Sequence, residues 1–401
     1  MTTMVYSTIG PLPARFRSSS LRSQLISREE PSLPYDVPFK KSPDLWFHDG
    51  NIIVLAGGFG FCVHRGQLQR HSEVFADMLG LPISDDRVRL HDAPSDVYHF
   101  LKALYDGAPI HDQQFPADFD AVSAVLRLSS KYFVAAHRAQ CLARLSHDYP
   151  PTLAEWDRRE RFATDNAGRY LPRDQIASPV LVINLARELD LGSLLPAAFY
   201  DLSRYGPSKT ANGTPAPPAL ALGVCTSATN VTSTAPVRIP DSTDRTYLSP
   251  TDLVALLAGR EAGQAWLTHF LDLYVGARLP SLACAHRQDN SRSCRDSFSF
   301  LLLNTRRAVG GIAVGRDADP LYTLDKMKDL LHRADFSDGA RSYGLPMCCF
   351  CKSDFLYAVD RAREEVWKTV PQWFGLVSHA STTTGHAVLV PGLDPGMEAL
   401  A

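Results

Sequence analysis

Between Pro43 and Gly107 the chain runs PDLWFHDGNIIVLAGGFGFCVHRGQLQRHSEVFADMLGLPISDDRVRLHDAPSDVYHFLKALYDG, and this stretch limits the fold more than any other. Apolar runs of strand length, LWF, IIVL and FGFCV, are separated by Asp49-Gly50 and by Gly57, Gly58 and Gly60. Asp-Gly tolerates the backbone angles of a tight two-residue turn, so LWF and IIVL read as a hairpin. The glycines make the next turn. They match neither G-x-G-x-x-G nor a Walker loop, and a strand rather than a helix follows, so no phosphate cradle is expected. VHRGQLQRHSEVFADML then reads as helix and VRL as a short strand. Val97, Phe100, Leu101 and Leu104 fall at helical spacing after Pro94. A small three-stranded sheet with helices packed on it is the expectation.

The rest of the chain alternates helical patterns with stretches that cannot build a core. Residues 1–40 hold Pro, Ser and Arg without periodicity and read as a disordered arm. Arg15, Arg17, Arg22 and Arg28 among serines also fit a mitochondrial presequence, but no amphipathic helix supports it. Residues 119–145 show Val122, Val125 and Leu126, a break near Phe133, then Ala139, Leu142 and Leu145, the pattern of a helical hairpin stopped by Pro150 and Pro151. In residues 150–205, Ser178-Pro179 offers a cap and a first-turn proline ahead of an almost wholly apolar helix, Val180 to Leu189. Residues 206–247 turn rich in Pro, Ala, Ser and Thr and read as a flexible linker. Ser249-Pro250-Thr251-Asp252 restarts helix. Further helices are expected over 320–333 and 353–370, the last ending before Pro371, with a tail over 381–401.

Composition excludes several classes. In 401 residues with a formal net charge of −2, nothing global attracts nucleic acid or an anionic membrane. No apolar run approaches the ~20 residues that span a bilayer, and no secretory core follows the N-terminus. Eight unevenly scattered cysteines in so long a chain fit reduced thiols inside a cell, in cytoplasm or nucleus, better than a disulfide framework.

The run D-L-W-F … F-x-V-H-R-x-x-L-x-x-H-S-x-V-F-x-x-M-L … V-x-L-x-D … F-L-x-A-L-Y resembles a BTB/POZ domain, and most closely the fungal BTB/POZ proteins with a helical C-terminal region. The resemblance implies an α+β BTB/POZ fold over 41–149, a helical extension over 150–205 and a mainly helical domain over 248–380. It implies self-association through a symmetric apolar face carrying Leu45, Trp46, Phe47, Val74, Phe75 and Met78. It places a charged pocket on Asp44 and Arg65, which a carboxylate–guanidinium pair would fill. His64, Leu68 and Ser72 become structural motif positions. His64 as a catalytic base finds no nucleophile or acid partner in the sequence, so a hydrogen-bonded structural role is expected.

By the same resemblance the chain is a non-enzymatic interaction module. The resemblance implies a homodimer and an adaptor, either delivering substrate to a cullin-type ubiquitin ligase or serving as a transcriptional or chromatin scaffold. The hydrophobic-x-Glu contact motif of some cullin adaptors is not evident. The competing class is an enzyme seated in residues 250–401, which His286, His332 and a carboxylate would have to form together.

Cys348-Cys349-Phe350-Cys351 contains a C-x-x-C pair, and Cys284, His286 and Cys294 lie upstream. Zinc takes four thiolate or imidazole ligands in a tetrahedron, which Cys284, Cys294, Cys348 and Cys351 would supply. Against that, nine residues part Cys284 from Cys294, outside usual knuckle spacing. A redox C-x-x-C lacks its βαβ context. The remaining reading is no cofactor, the cysteines serving as small buried hydrophobes.

Overall fold

The computed structural model describes residues 38–80, 86–109, 119–164, 170–172, 176–216, 220–221, 237–238, 245–289, 292–309, 318–332, 336–337 and 342–376. The expected arm before residue 38, most of the 206–247 linker and the 381–401 tail lie outside them. The chain is mixed α+β, mostly helical, with one small N-terminal sheet. Among the described residues no helix is long and apolar enough to cross a membrane.

The sheet has four strands: β1 Lys40–Trp46, β2 Ile52–Ala56, β3 Phe59–Val63 and β4 Arg87–Leu90, in the order β1-β3-β2-β4. Gly57 and Gly58, at φ 48° and 82°, close the two-residue turn that makes β2 and β3 an antiparallel hairpin. Asp49-Gly50 does something different from the hairpin expected of it. β4 runs parallel to β2 along the edge that β1 would need, so β1 crosses to the far side and pairs parallel with β3. The pairing passes from Lys41↔Gly60 to Trp46↔Cys62, leaving a bulge in β1 between those residues.

Helices α1 Arg65–His71 and α2 Glu73–Leu79 follow β3, hinged at Ser72. Its hydroxyl accepts the Phe75 N–H at 3.1 Å, capping α2, and donates to the Tyr132 carbonyl at 2.6 Å. Helix α3 Pro94–Asp106 starts with proline at its first position. Helices α4 Phe119–Lys131 and α5 Ala135–Asp148 form the expected helical hairpin, turning at Phe133 with φ 54°. A first core gathers Leu45, Val54, Phe61, Leu68, Phe75, Phe100 and Leu128 between the sheet and these helices.

A second core is larger and crosses the divisions read from composition. It joins Val122, Val125 and Cys141 of the α4–α5 hairpin to helices α6 Leu153–Phe162, α7 Pro179–Glu188 and α8 Leu195–Ser203. The same core continues into α10 Pro250–Phe270, α11 Arg292–Asn304, α12 Pro320–Asp329 and α13 Cys349–Trp373. The extension and the C-terminal helices therefore share one interior, and α4 is buried because it serves both cores.

The stretch between them starts with the short helix α9 Pro207–Ala211. Two short antiparallel ladders then join β5 Thr214–Pro215 to β8 Arg245–Thr246, and β6 Leu220–Ala221 to β7 Val237–Arg238. Ser249 caps α10 as expected, accepting the Asp252 N–H and donating to its carboxylate, whereas Ser178 starts α7 without a side-chain cap.

Helix α13 runs past Pro371, against expectation. Proline in a last turn forfeits a single N–H bond, and the end is fixed otherwise. The Leu376 N–H returns to the Pro371 carbonyl at 2.9 Å, and Phe374 stacks on Phe199. Phe374 also lies so close to α10 that a Cβ on Gly259 would fall 2.1 Å from its ring.

A buried ion network pins α6, α8 and α12 together. Arg159 donates to Asp201 at 2.7 Å, to Glu160 at 2.5 Å and to the Asp148 carbonyl at 2.8 Å. Arg204 reaches Glu160 at 2.7 Å, Asp201 at 2.5 Å and Asp319 at 3.5 Å. Both guanidinium groups lie against Trp156, at 4.5 and 5.0 Å from the ring centroid. Burial opposes their charge, but the surrounding carboxylates hold both above the ordinary arginine range.

Candidate metal centre and interaction face

The four cysteines that spacing kept apart meet in space. After α10 the chain continues as a π-helical segment, Leu271–Gly276, and then a loop that carries Ser281, Cys284, Ala285 and His286. Cys294 stands in the first turn of α11. Cys348 caps α13 and Cys351 lies in its first turn. The two helix starts meet, so the pairs from opposite ends of the region converge. All four sulfurs lie within 4.8 Å of one another and all four residues are buried.

The Cys284–Cys294 and Cys284–Cys348 Sγ distances are 3.7 and 3.8 Å. A disulfide needs ~2.05 Å, whereas a tetrahedron of Zn–S bonds near ~2.3 Å has edges of about 3.8 Å. Cys349, by contrast, is exposed.

Backbone N–H groups point at these sulfurs. Ser281 donates to Cys351 at 3.3 Å, and Cys348 to Cys294 at 3.4 Å. Burial alone would push the Cys348 thiol up. The N–H groups of Cys351 and Ala285, with the Cys351 and Cys284 thiols, bring it down to about 6. Burial and the neighbouring sulfurs push Cys294 up to about 11, and they raise Cys351 as well. One thiolate is thus favoured and further ionisation is resisted, an electrostatic conflict that a divalent cation would relieve. The His286 Nδ1 lies 3.3 Å from Cys294 Sγ. The sequence pattern displayed all four cysteines and His286. The backbone donors Ser281 and Ala285 left no signal in it, because an N–H belongs to every residue but proline.

The N-terminal face departs from expectation in one pair. Asp44 and Arg65 do not meet. The β1 bulge directs Asp44 to α3, where it accepts the Tyr98 hydroxyl at 2.8 Å. Burial and that carboxylate raise the Tyr98 pKa. Arg65 lies 3.6 Å from Asp86, and its backbone N–H donates to Asn51 at 2.7 Å.

His64 is held through its backbone N–H and both ring nitrogens. Its N–H donates to the Tyr105 hydroxyl, and Nδ1 lies 2.9 Å from the same oxygen. Nε2 faces Asp49 at 3.3 Å, an arrangement that assigns the ring proton to Nε2. Leu68 is buried and Ser72 is the hinge described above.

Of the six residues expected on a dimer face, Leu45 and Phe75 are 3% and 0% exposed and belong to the first core of this chain. Trp46, Phe47, Val74 and Met78 are half-buried and retain outward surface. Lys41 lies over the Trp46 ring at 4.5 Å.

No family model matches the chain, and no curated protein matches it.

Proposed function

We propose that the chain is a non-catalytic interaction scaffold: a BTB/POZ-type unit over residues 40–148 that pairs with a second copy, joined to a helical region stapled by zinc. The observation that carries the pairing is the half-buried apolar set at the end of β1, just after it and on α2. Trp46, Phe47, Val74 and Met78 offer an apolar centre of the kind symmetric interfaces use. The order of elements supports the same reading: strand, β-hairpin, helix pair, strand, helix and helical hairpin follow the motif that resembles the family. The role among partners, as cullin-ligase adaptor or as transcriptional scaffold, follows from that resemblance.

For the helical region, the four-sulfur geometry supports zinc. A closed set of four thiolates is the donor set of a structural site, with no open position for substrate. Zinc bound there would join the loop after α10, the start of α11 and the start of α13.

Light scattering on the full chain tests the pairing. The wild type is expected as a dimer, and Trp46→Glu with Met78→Glu as a monomer of unchanged circular dichroism. A wild-type monomer at tens of micromolar, about the range in which a standard ~1,600 Å² interface holds, refutes the pairing. Binding of the same dimer to a cullin N-terminal region would favour the adaptor role, and its absence the scaffold.

A further inference from the structure

We propose that His286 is an outer-sphere positioning residue of the metal centre: it donates a hydrogen bond from Nδ1 to the Cys294 sulfur and governs how tightly the ion is held, without ligating it. The inference rests on the zinc reading of the tetrad. Its starting point is charge. Four thiolates around a divalent cation leave an excess of two negative charges in a site whose cysteines are nearly all shut from solvent. Such an excess persists only where donors converge on the sulfurs.

The donors are unevenly shared. Cys348 receives the N–H groups of Cys351 and Ala285, and Cys351 receives that of Ser281 at 3.3 Å. Cys294 is fully buried, and its backbone donor, Cys348 N–H, lies at 3.4 Å. The second group reaching Cys294 is the His286 imidazole, 3.3 Å away, a side-chain group where Cys348 and Cys351 are met by backbone N–H groups.

Two features set His286 outside the ligand set. The four sulfurs already lie mutually within reach of one ion, and no His286 nitrogen joins that cluster. His286 is also half-buried, on a loop whose Cys284 is the member turned inward. A ring nitrogen in contact with a sulfur, beyond the cluster but against it, is placed to bond the ligand and not the ion. One cation nearby is Arg278. It feels the Cys351 charge but is itself committed to the Asp354 carbonyl at 2.9 Å and wedged against Phe298.

The test uses the full chain, its metal content measured and the zinc then exchanged for Co²⁺. Wild type is expected to hold one ion with the absorption of a four-sulfur tetrahedral site. In His286→Ala the same absorption pattern and stoichiometry should remain, while affinity in competition with a chromophoric chelator falls about 10- to 100-fold. His286→Gln, which keeps an N–H, should recover part of the loss; Cys351→Ser should abolish the four-sulfur spectrum. Unchanged affinity in His286→Ala overturns the inference and leaves the zinc reading standing. A wild-type spectrum of three sulfurs and one nitrogen that His286→Ala removes overturns it in the other direction, making His286 a ligand. Wild-type protein without stoichiometric metal, and with no uptake of Co²⁺, overturns the zinc reading and this inference with it.

Discussion

Removing Arg159 should destabilise the chain more than any surface change, by an amount that can be worked from the contacts. Arg159 and Asp201 have side chains 1% and 0% exposed. The network holds two guanidinium groups, Arg159 and Arg204, against three carboxylates, Glu160, Asp201 and Asp319, a balance of −1. Arg159→Met keeps most of the length and the packing on Trp156, but the balance becomes −2 in a site where Asp201 and Asp319 are shut from solvent. Breaking a buried pair by removing one partner costs about 3–5 kcal/mol, because the partner left behind stays desolvated. The lost bond to the Asp148 carbonyl adds about 1 kcal/mol. With a urea m-value of about 3 kcal/mol/M, the midpoint should fall by roughly 1–2 M.

The assay is equilibrium unfolding followed by tryptophan emission, to which Trp156 contributes from within the network. Arg159→Met with Asp201→Leu restores the −1 balance and should recover most of the loss, since apolar replacement of a buried pair is often neutral. A single variant whose midpoint moves by less than about 0.2 M, some 0.6 kcal/mol at that m-value, would refute the desolvation reasoning.

Three further outcomes are expected. Tyr98→Phe should cost about 1.5–3 kcal/mol, as a bond to a charged acceptor does, while Arg65→Ala stays within about 1 kcal/mol; the reverse order in chemical denaturation would restore the abandoned Asp44–Arg65 pair. Burial, His137 and Arg70 lower the His71 pKa, so the unfolded chain binds more protons than the folded one below the ordinary histidine value, and stability falls as pH drops through about 6.5. His71→Gln should flatten that fall in midpoints measured from pH 7.5 to 5, and an unchanged slope would exclude His71 as its source. Stripping metal with a chelator should speed amide exchange at Ser281, Ala285, Cys348 and Cys351, all of which donate to sulfur, while β2 and β3 stay protected; uniform exchange across the chain would mean that the centre holds no particular region.

What the sequence disclosed depended on how far each signal reaches. Gly57-Gly58 and the hinge at Phe133 were legible because the turn chemistry lies within the residues that turn. Asp49-Gly50 misleads because a turn-prone dipeptide does not name the strand its neighbours pair with; β4, occupying the other edge of β2, decides that. Pro371 does not stop α13 because proline breaks helix interiors, whereas in a last turn it removes a single bond. Knuckle spacing hides the tetrad because it treats each ligand pair as one short arm, whereas Cys284 and Cys294 are carried on a loop and a helix start. Arg159, Glu160, Asp201 and Arg204 carry the usual look of solvated helix charges, and nothing in their order discloses that they face one another indoors. The shared interior was hidden by the low-complexity stretch 206–247, since a change of composition marks where a chain leaves a core but not that it comes back to the same one.

The paired ends of that stretch have a practical consequence. Thr214 pairs with Thr246, and Arg245 ties back to the Asn212 and Gly213 carbonyls. Pro215 and Arg245, with 29 residues between them in the chain, are thus held side by side in one neck. With entry and exit fixed, the penalty for a longer excursion grows only with the logarithm of its length, about 0.6 kcal/mol for each doubling. The neck is therefore a graft point: because its two sides hold each other, a fluorescent domain or an affinity sequence inserted between them should leave the pairing of Thr214 with Thr246 as it is.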